Sequence, residues 1–226
     1  MWHNDMDELC GKIFLSELKG SVLFNQTDED FGNLYLFNDE RLSAGSSKAQ
    51  DVAADSYLIL IPVTGDLKVQ CPWKKDPTNI LVGQVLICRN AQGFGLKLLN
   101  PYEQNEVNFL QFRIKASQSA VAPLLKILDF ELYEVTNKLI EITPNIGQKE
   151  RRLPFRISIG QFDGRQEAIY SLHKVSGNFF SFVLAGAFEV SGRLLHQGDG
   201  LALWNITEVE MEALSNNAVI LAIEIF

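Results

Sequence analysis

Histidine, closely spaced cysteines and long apolar runs are scarce in this sequence. The 226 residues include three histidines and three cysteines, and no two cysteines form a CxxC metal or redox motif. Three histidines leave little material for a histidine-rich metal site. The longest apolar run, Tyr57–Val63, is about a third of the length that a membrane-spanning helix needs. We therefore expect neither a zinc knuckle nor a membrane span.

Basic residues are also in deficit. Twenty lysines and arginines stand against 28 aspartates and glutamates, which gives a net charge of −8. A nucleic-acid-binding surface needs clustered lysine and arginine to contact phosphates, so we exclude nucleic acid as a partner. The first residues lack the basic and apolar regions of a signal peptide, and unpaired cysteines suit a reducing compartment. These features predict a soluble cytoplasmic protein.

Short apolar segments between turn residues dominate the chain. Segments such as Tyr57–Val63 and Phe179–Leu184 are rich in β-branched and aromatic residues and are bounded by glycine and polar turns. Ser119–Leu128 alone favours a helix, and Pro123 limits its length. Many short strands at close spacing predict an all-β sandwich or barrel.

The two halves of the sequence repeat a pattern. Tyr57–Gly65 is an apolar strand that ends in glycine and is followed by Asp66–Val69, and Phe179–Gly186 is followed in the same way by Ala187–Val190. A glycine at this point permits the positive φ of a tight hairpin. The recurrence predicts a tandem pair of β-barrels.

Several segments, in order along the chain, narrow this prediction of the fold: Phe31–Arg41, Ala44–Gly45, Asn100–Pro101, Phe109–Ile114, Gly198–Trp204 and Ala218–Ile225. Together they resemble the pirin family of cupins. The resemblance implies a bicupin with one short helix between its barrels. It implies a pirin-like N-terminal cupin barrel over residues 1–118 and a quercetinase-like C-terminal barrel over residues 119–226.

The resemblance also implies where a metal site would lie. In the family, the N-terminal barrel holds one metal through three histidines and a glutamate, and the first two histidines form an H-x-H motif. A gapless comparison places the H-x-H positions on Asp51 and Ala53. It places the third histidine and the glutamate on Leu96 and Leu98.

None of these four residues is a family ligand. Ala53, Leu96 and Leu98 have no donor atom, and the single carboxylate of Asp51 cannot hold a divalent transition metal tightly. Leu96 and Leu98 are two residues apart and share one face of a strand. We therefore expect no metal, no other cofactor, and a first barrel filled by apolar packing.

The favoured function is a non-catalytic module that binds a small molecule or a protein. The alternative is an enzyme with a rebuilt site, either a quercetin-dioxygenase-like cupin or a metal-free isomerase. Asp51, Asp55 and Tyr57 alternate along one strand and form a possible pocket for such chemistry. Metal-free cupin epimerases use a histidine base, however, and we expect His173 and His196 to be solvated or capping residues.

Overall fold

The structure is a computed structural model that describes residues 11–16, 22–23, 33–116, 124–143, 153–174 and 177–226. The described residues contain twenty β-strands and no α-helix. No helix within these ranges is long and apolar enough to cross a membrane. The predicted all-β cupin fold is confirmed, and the chain divides into two compact units.

One unit contains a six-stranded and a four-stranded antiparallel sheet. The six-stranded sheet has the order β11-β8-β5-β10-β3-β2, and the four-stranded sheet has the order β4-β9-β6-β7. The strands of this unit are β2 (Val22–Leu23), β3 (Leu34–Leu42), β4 (Ser47–Val52), β5 (Ser56–Thr64), β6 (Leu67–Gln70), β7 (Thr78–Ile80), β8 (Gln84–Asn90), β9 (Phe94–Leu99), β10 (Val107–Lys115) and β11 (Leu124–Asp129). We refer to this unit as the first barrel.

The second barrel has the same pair of sheets. Its six-stranded sheet has the order β1-β18-β15-β20-β13-β12, and its four-stranded sheet has the order β14-β19-β16-β17. Its strands are β1 (Gly11–Phe14), β12 (Ile140–Glu141), β13 (Phe155–Phe162), β14 (Glu167–Ser171), β15 (Gly177–Ala185), β16 (Ala187–Val190), β17 (Arg193–His196), β18 (Gly200–Ile206), β19 (Glu208–Ala213) and β20 (Ala218–Ile225).

The two barrels have the same topology, offset by ten strands. Strand β5 pairs with β8 and β10, as β15 pairs with β18 and β20. Gly65 follows β5 and Gly186 follows β15, and each has a φ of 74°, which a glycine adopts without the steric cost of a side chain. The structure therefore contains the internal repeat that the sequence predicts.

Each barrel encloses its own apolar core between its two sheets. In the first barrel, β5 contributes Leu58 and Leu60 and the smaller sheet contributes Leu96 and Leu98. Strand β9 alternates buried and exposed residues, whereas the central strand β5 is buried on both faces. This difference explains why β5 is a continuous apolar run in the sequence and β9 is not.

The units of the structure do not coincide with the predicted division at residue 118. Strand β1 pairs with β18 of the second barrel, and β11 pairs with β8 of the first. The helix predicted over Ser119–Leu128 is wrong where the structure describes it, since Leu124–Asp129 is a strand; residues 119–123 lie outside the described ranges. A short apolar run shows no periodicity from which a helix can be distinguished from a strand.

Candidate functional site

The inward face of the smaller sheet in the first barrel is set by the pairing of β4 with β9. Leu96 lies opposite Gln50, and Phe94 lies opposite Val52. Leu96 and Leu98 are 5% and 0% exposed and belong to the apolar core. Paired residues share one face of a sheet, so Gln50 and Val52 lie on the same face as Leu96 and Leu98, together with Lys48, which pairs with Leu98.

Asp51 and Ala53 lie elsewhere. Asp51 is exposed and lies opposite Gly95, and Ala53 is exposed beyond the end of β4. Asp51 is therefore on the opposite face of the sheet from Leu96. The gapless comparison gives Asp51, Leu96 and Leu98 as ligand positions, but Asp51 does not share their face of the sheet. A shift of one residue along a strand moves a side chain to the other face.

The residues predicted to form a pocket, Asp51, Asp55 and Tyr57, do not alternate along one strand, because β4 ends at Val52 and β5 begins at Ser56. Tyr57 pairs with Arg89 on the face of β5 opposite Leu58, which belongs to the core of the first barrel. The Arg89 guanidinium lies 5.3 Å from the Tyr57 ring centroid and 3.5 Å from the Asp55 carboxylate. Asp55 and Tyr57 thus pack with Arg89, and Tyr57 lies on the face of β5 that points away from the core of the first barrel.

The inward-facing residues do not fit the ligand set of a divalent metal. Leu96, Leu98 and Val52 offer carbon alone, and Gln50 offers a neutral amide. Within the described ranges, no group of three or more histidine, cysteine, aspartate or glutamate side chains is arranged to hold a metal ion. A transition metal needs several imidazole, thiolate or carboxylate donors around one point.

Two buried thiols lie in the core of the first barrel. Cys71 and Cys88 are both free and 0% exposed. A hydrogen bond with Cys71 and burial raise the pKa of Cys88, whereas the hydrogen bond with Cys88 lowers the pKa of Cys71. The hydrogen bond therefore favours a neutral Cys88 thiol that donates to Cys71.

Polar side chains from both sheets meet inside the first barrel. Gln50 Nε2 donates to Gln111 Oε1 at 2.9 Å and so joins β4 to β10 across the interior. Gln111 is 1% exposed, and Asn38 lies directly opposite it on β3. Asn38 is 8% exposed, and its Oδ1 has no hydrogen-bond partner. An amide oxygen that is buried without a donor costs free energy and can accept a hydrogen bond from a ligand.

Charged groups extend this set of polar residues in both directions along the strands. Glu40 accepts hydrogen bonds from Asn38 Nδ2 at 2.8 Å and from Lys48 Nζ at 2.6 Å. Arg113, two residues beyond Gln111, pairs with Leu58 on the inward face, and its buried Nε has no partner. We refer to these six residues as the polar wall: Asn38, Glu40, Lys48, Gln50, Gln111 and Arg113.

A second polar group lies inside the second barrel. Glu224 on β20 is 0% exposed and lies on the face that Ala222 and Ile220 contribute to the core. Its carboxylate accepts hydrogen bonds from Tyr170 Oη at 3.0 Å, from the His173 backbone N–H at 2.6 Å and from the Lys174 backbone N–H at 3.2 Å. These bonds hold the segment after β14 against the barrel.

The imidazole of His173 is bound on both sides. Its Nδ1 lies 2.9 Å from Glu224 Oε2, and its Nε2 contacts Arg156 Nη1. Arginine has no acceptor, so Nε2 accepts the hydrogen bond from Arg156 and the ring proton lies on Nδ1, facing Glu224. We refer to Tyr170, His173, Arg156 and Glu224 as the Glu224 cluster. His173 was expected to be a solvated or capping residue; its side chain is half exposed and is also bound to a buried carboxylate.

Burial and the negative charge of Glu224 raise the pKa of Tyr170, and the hydrogen bond that Tyr170 donates acts in the same direction. Tyr170 therefore remains a protonated donor over the physiological range. The Glu224 cluster was missed because Glu224 is far from its partners in sequence. The signal that could have found it is a single carboxylate within the apolar strand Ala218–Ile225.

Comparisons with known proteins identify relatives of this fold. Residues 154–225 match the family described as the quercetinase C-terminal cupin domain. No curated protein matches the sequence. The structure of YhhW from Escherichia coli superposes with a TM-score of 0.81 at 14% identity, covering 96% of this chain and 98% of that one.

Two further similar structures are a nickel(II) complex and an enzyme. The bacterial pirin YhhW from Escherichia coli in complex with nickel(II) gives a TM-score of 0.78 at 12% identity and covers 96% of this chain and 99% of that one. Quercetin 2,3-dioxygenase from Acinetobacter baumannii gives 0.71 at 12% identity, covering 90% of this chain and 72% of that one. The predicted resemblance to pirin-like cupins is confirmed, in fold along nearly the whole chain and in sequence for the second barrel.

Proposed function

We propose that this protein is a metal-free, pirin-like cupin whose first barrel binds a small molecule without ring-cleaving catalysis. The observation that carries the proposal is the residue set Gln50, Val52, Leu96 and Leu98, which faces the interior where the pirin resemblance implies a metal. Three of these residues are hydrocarbon, and burying them stabilises the barrel without a metal.

The polar wall supports binding of a small molecule in preference to a protein. A buried amide oxygen on Asn38 and a buried guanidinium Nε on Arg113 lack partners inside the barrel. A ligand with both a hydrogen-bond donor and an acceptor satisfies both atoms, and a protein surface does not reach into a barrel interior. Few polar groups against an apolar lining are typical of small-molecule sites.

Metal analysis tests the first part of the proposal. Protein purified without chelator is expected to contain less than about a tenth of an equivalent of iron, nickel, copper, manganese or zinc, because no donor set holds a divalent ion. After dialysis against nickel(II) and desalting, the protein is expected to contain equally little nickel. About one equivalent of any of these metals per chain contradicts the proposal.

A turnover assay tests the enzymatic alternative. The structural neighbour from Acinetobacter baumannii is a quercetin 2,3-dioxygenase, so quercetin is the appropriate substrate to offer. We expect no oxygen consumption above buffer with or without added iron(II), nickel(II) or copper(II). Turnover that disappears in Gln111→Leu and persists in the exposed control Gln92→Leu establishes the enzyme instead.

Native mass spectrometry tests the choice between ligand and protein partner. Protein isolated from cells under mild conditions is expected to carry a small-molecule adduct that Gln111→Leu reduces and Gln92→Leu retains. Release of a second polypeptide in place of a small molecule favours the protein-binding function.

A further inference from the structure

We propose that the Glu224 cluster is a proton-transfer site that enolises small, uncharged hydroxycarbonyl compounds, with His173 as general base and Arg156 as the partner of the oxyanion. The site lies in the second barrel. It is independent of the proposed function of the first barrel.

Glu224 orients the imidazole. The carboxylate is fully buried, and its hydrogen bonds to the backbone N–H groups of His173 and Lys174 fix its position. Its Oε2 accepts the Nδ1 proton of His173 at 2.9 Å, which leaves Nε2 as a proton acceptor. A histidine oriented by a buried carboxylate is an arrangement suited to general-base catalysis. Glu224 is thus a positioning residue.

The reactive atoms are accessible from outside the barrel. The side chain of His173 is 50% exposed and that of Arg156 is 27% exposed, whereas Glu224 is 0% exposed. Arg156 Nη1 contacts His173 Nε2, the acceptor of the proton. A carbonyl compound that replaces this contact places its acidic C–H at Nε2 and its oxygen at Nη1, because the two atoms are adjacent.

The charges around the site favour an uncharged substrate. Arg156 Nε lies 3.7 Å from the Glu141 carboxylate, and the Cα of Arg156 pairs with that of Glu224 across β13 and β20. Two carboxylates therefore surround one guanidinium, and no net positive charge is left to bind an acid. One row deeper, Ser181 Oγ is buried without a partner on the same inward face, where it can bind a substrate hydroxyl.

The reaction needs no co-reactant. Nε2 takes a proton from the carbon beside the carbonyl, the C–H electron pair forms the carbon–carbon double bond, and the carbonyl electron pair moves onto the oxygen bonded to Arg156. The imidazolium is stabilised by Glu224. Return of the proton from Nε2 to the same carbon regenerates the substrate, so in heavy water the net result is exchange of that hydrogen for deuterium.

Hydrogen exchange in heavy water tests the proposal with dihydroxyacetone and glyceraldehyde as probes. We expect the full-length protein to accelerate loss of the α-hydrogen signal in the proton NMR spectrum by at least about tenfold over buffer, at the low end of general-base catalysis. His173→Asn and Arg156→Met are expected to remove the acceleration. His196→Asn, an exposed histidine outside the cluster, is the matched control and retains it.

Determining the tautomer of His173 by NMR is a second test, and it does not depend on the choice of carbonyl compound. Long-range ¹H–¹⁵N correlation is expected to show neutral His173 with its proton on Nδ1, and Glu224→Gln is expected to reduce that tautomer while the His196 signal is unchanged. No acceleration with either probe, acceleration that persists in His173→Asn, or a proton on Nε2 in the wild-type protein overturns the proposal.

Discussion

Glu224 is a residue whose contribution to stability can be separated from its role in orienting His173. Its carboxylate satisfies two backbone N–H groups and the Tyr170 hydroxyl inside the second barrel. Glu224→Ala removes the acceptor of these partly buried donors, and we expect a loss of about 2 kcal/mol in the free energy of unfolding, measured by urea denaturation. The exposed Glu189→Ala is expected to change it by less than about 0.5 kcal/mol. Equal effects of the two substitutions contradict this assignment.

Tyr170 makes the stability of the second barrel depend on pH in the alkaline range. Burial, and then the charge of Glu224, raise its pKa above the value of about 10 in the unfolded chain. The folded protein holds this proton more tightly than the unfolded chain does. The stability that results is complete below pH ~10 and is lost as the pH rises from there towards the folded pKa.

Urea denaturation between pH 9 and pH 11.5 checks this dependence. Tyr170→Phe removes the ionisable group, so we expect the free energy of unfolding to fall less steeply above pH ~10 in the variant than in the wild type. Tyr133→Phe is the control, since Tyr133 is 78% exposed. Identical pH slopes for Tyr170→Phe and the wild type contradict the prediction.

At the scale of elements, the register of β4 against β9 decides which residues face the interior of the first barrel. If Gln50 and Val52 occupy the inward positions opposite Leu96 and Phe94, the family ligands can be restored there. We expect the variant Gln50→His, Val52→His, Leu96→His, Leu98→Glu to bind about one nickel(II) per chain, measured by isothermal titration calorimetry, since three imidazoles and a carboxylate then converge.

The comparison variant places the first two histidines at the positions that the gapless comparison gives. Asp51→His and Ala53→His, combined with Leu96→His and Leu98→Glu, direct two imidazoles away from the interior. This variant is expected to bind nickel(II) at least about tenfold more weakly. Equal affinity of the two variants contradicts the register.

Strands that are buried on both faces are visible in the sequence as continuous apolar runs. Tyr57–Val63 was predicted as a strand and lies within β5, whose residues are buried on both sides. Ser47–Val52 and Glu167–Ser171 were not predicted, because each has at most one buried face and little apolar sequence. The position of the inward residues also depended on register, which sequence spacing across a turn such as Ala53–Asp55 does not fix.

The site in the second barrel was beyond sequence reasoning for a different reason. Glu224 and Tyr170 are separated by 54 positions, and His173 is separated from Glu224 by 51. Only the return of β20 beside β13 and β15 brings them together. The isolated carboxylate of Glu224 is visible in the sequence, but its partners depend on the topology of the barrel.

At the scale of the whole molecule, one topology carries two different interiors. Strands β10 and β20 occupy equivalent places in the two six-stranded sheets. The inward face of β10 ends in Gln111 and Arg113, whereas that of β20 ends in Ala222 and Glu224. The two barrels therefore share the apolar inward positions that pack the sheets together. They differ in the polar residues at the ends of the equivalent strands, where each barrel can have a different function.

The edge strands make the two halves of the sequence incomplete as separate domains. Strand β11 covers the edge of β8, and its Leu125 and Ile127 pack on the core of the first barrel. A fragment of residues 20–118 lacks β11 and exposes the β8 edge together with this part of the core, whereas a fragment of residues 20–134 retains both. An exposed sheet edge promotes association between chains.

We therefore expect the 20–134 fragment to unfold at a higher urea concentration than the 20–118 fragment and to elute as a smaller species in size-exclusion chromatography. Leu125→Asp in the 20–134 fragment serves as the control that keeps the chain length and weakens the packing of β11. It is expected to lower the unfolding midpoint towards that of the shorter fragment. Equal midpoints for the 20–118 and 20–134 fragments would mean that β11 does not stabilise the first barrel.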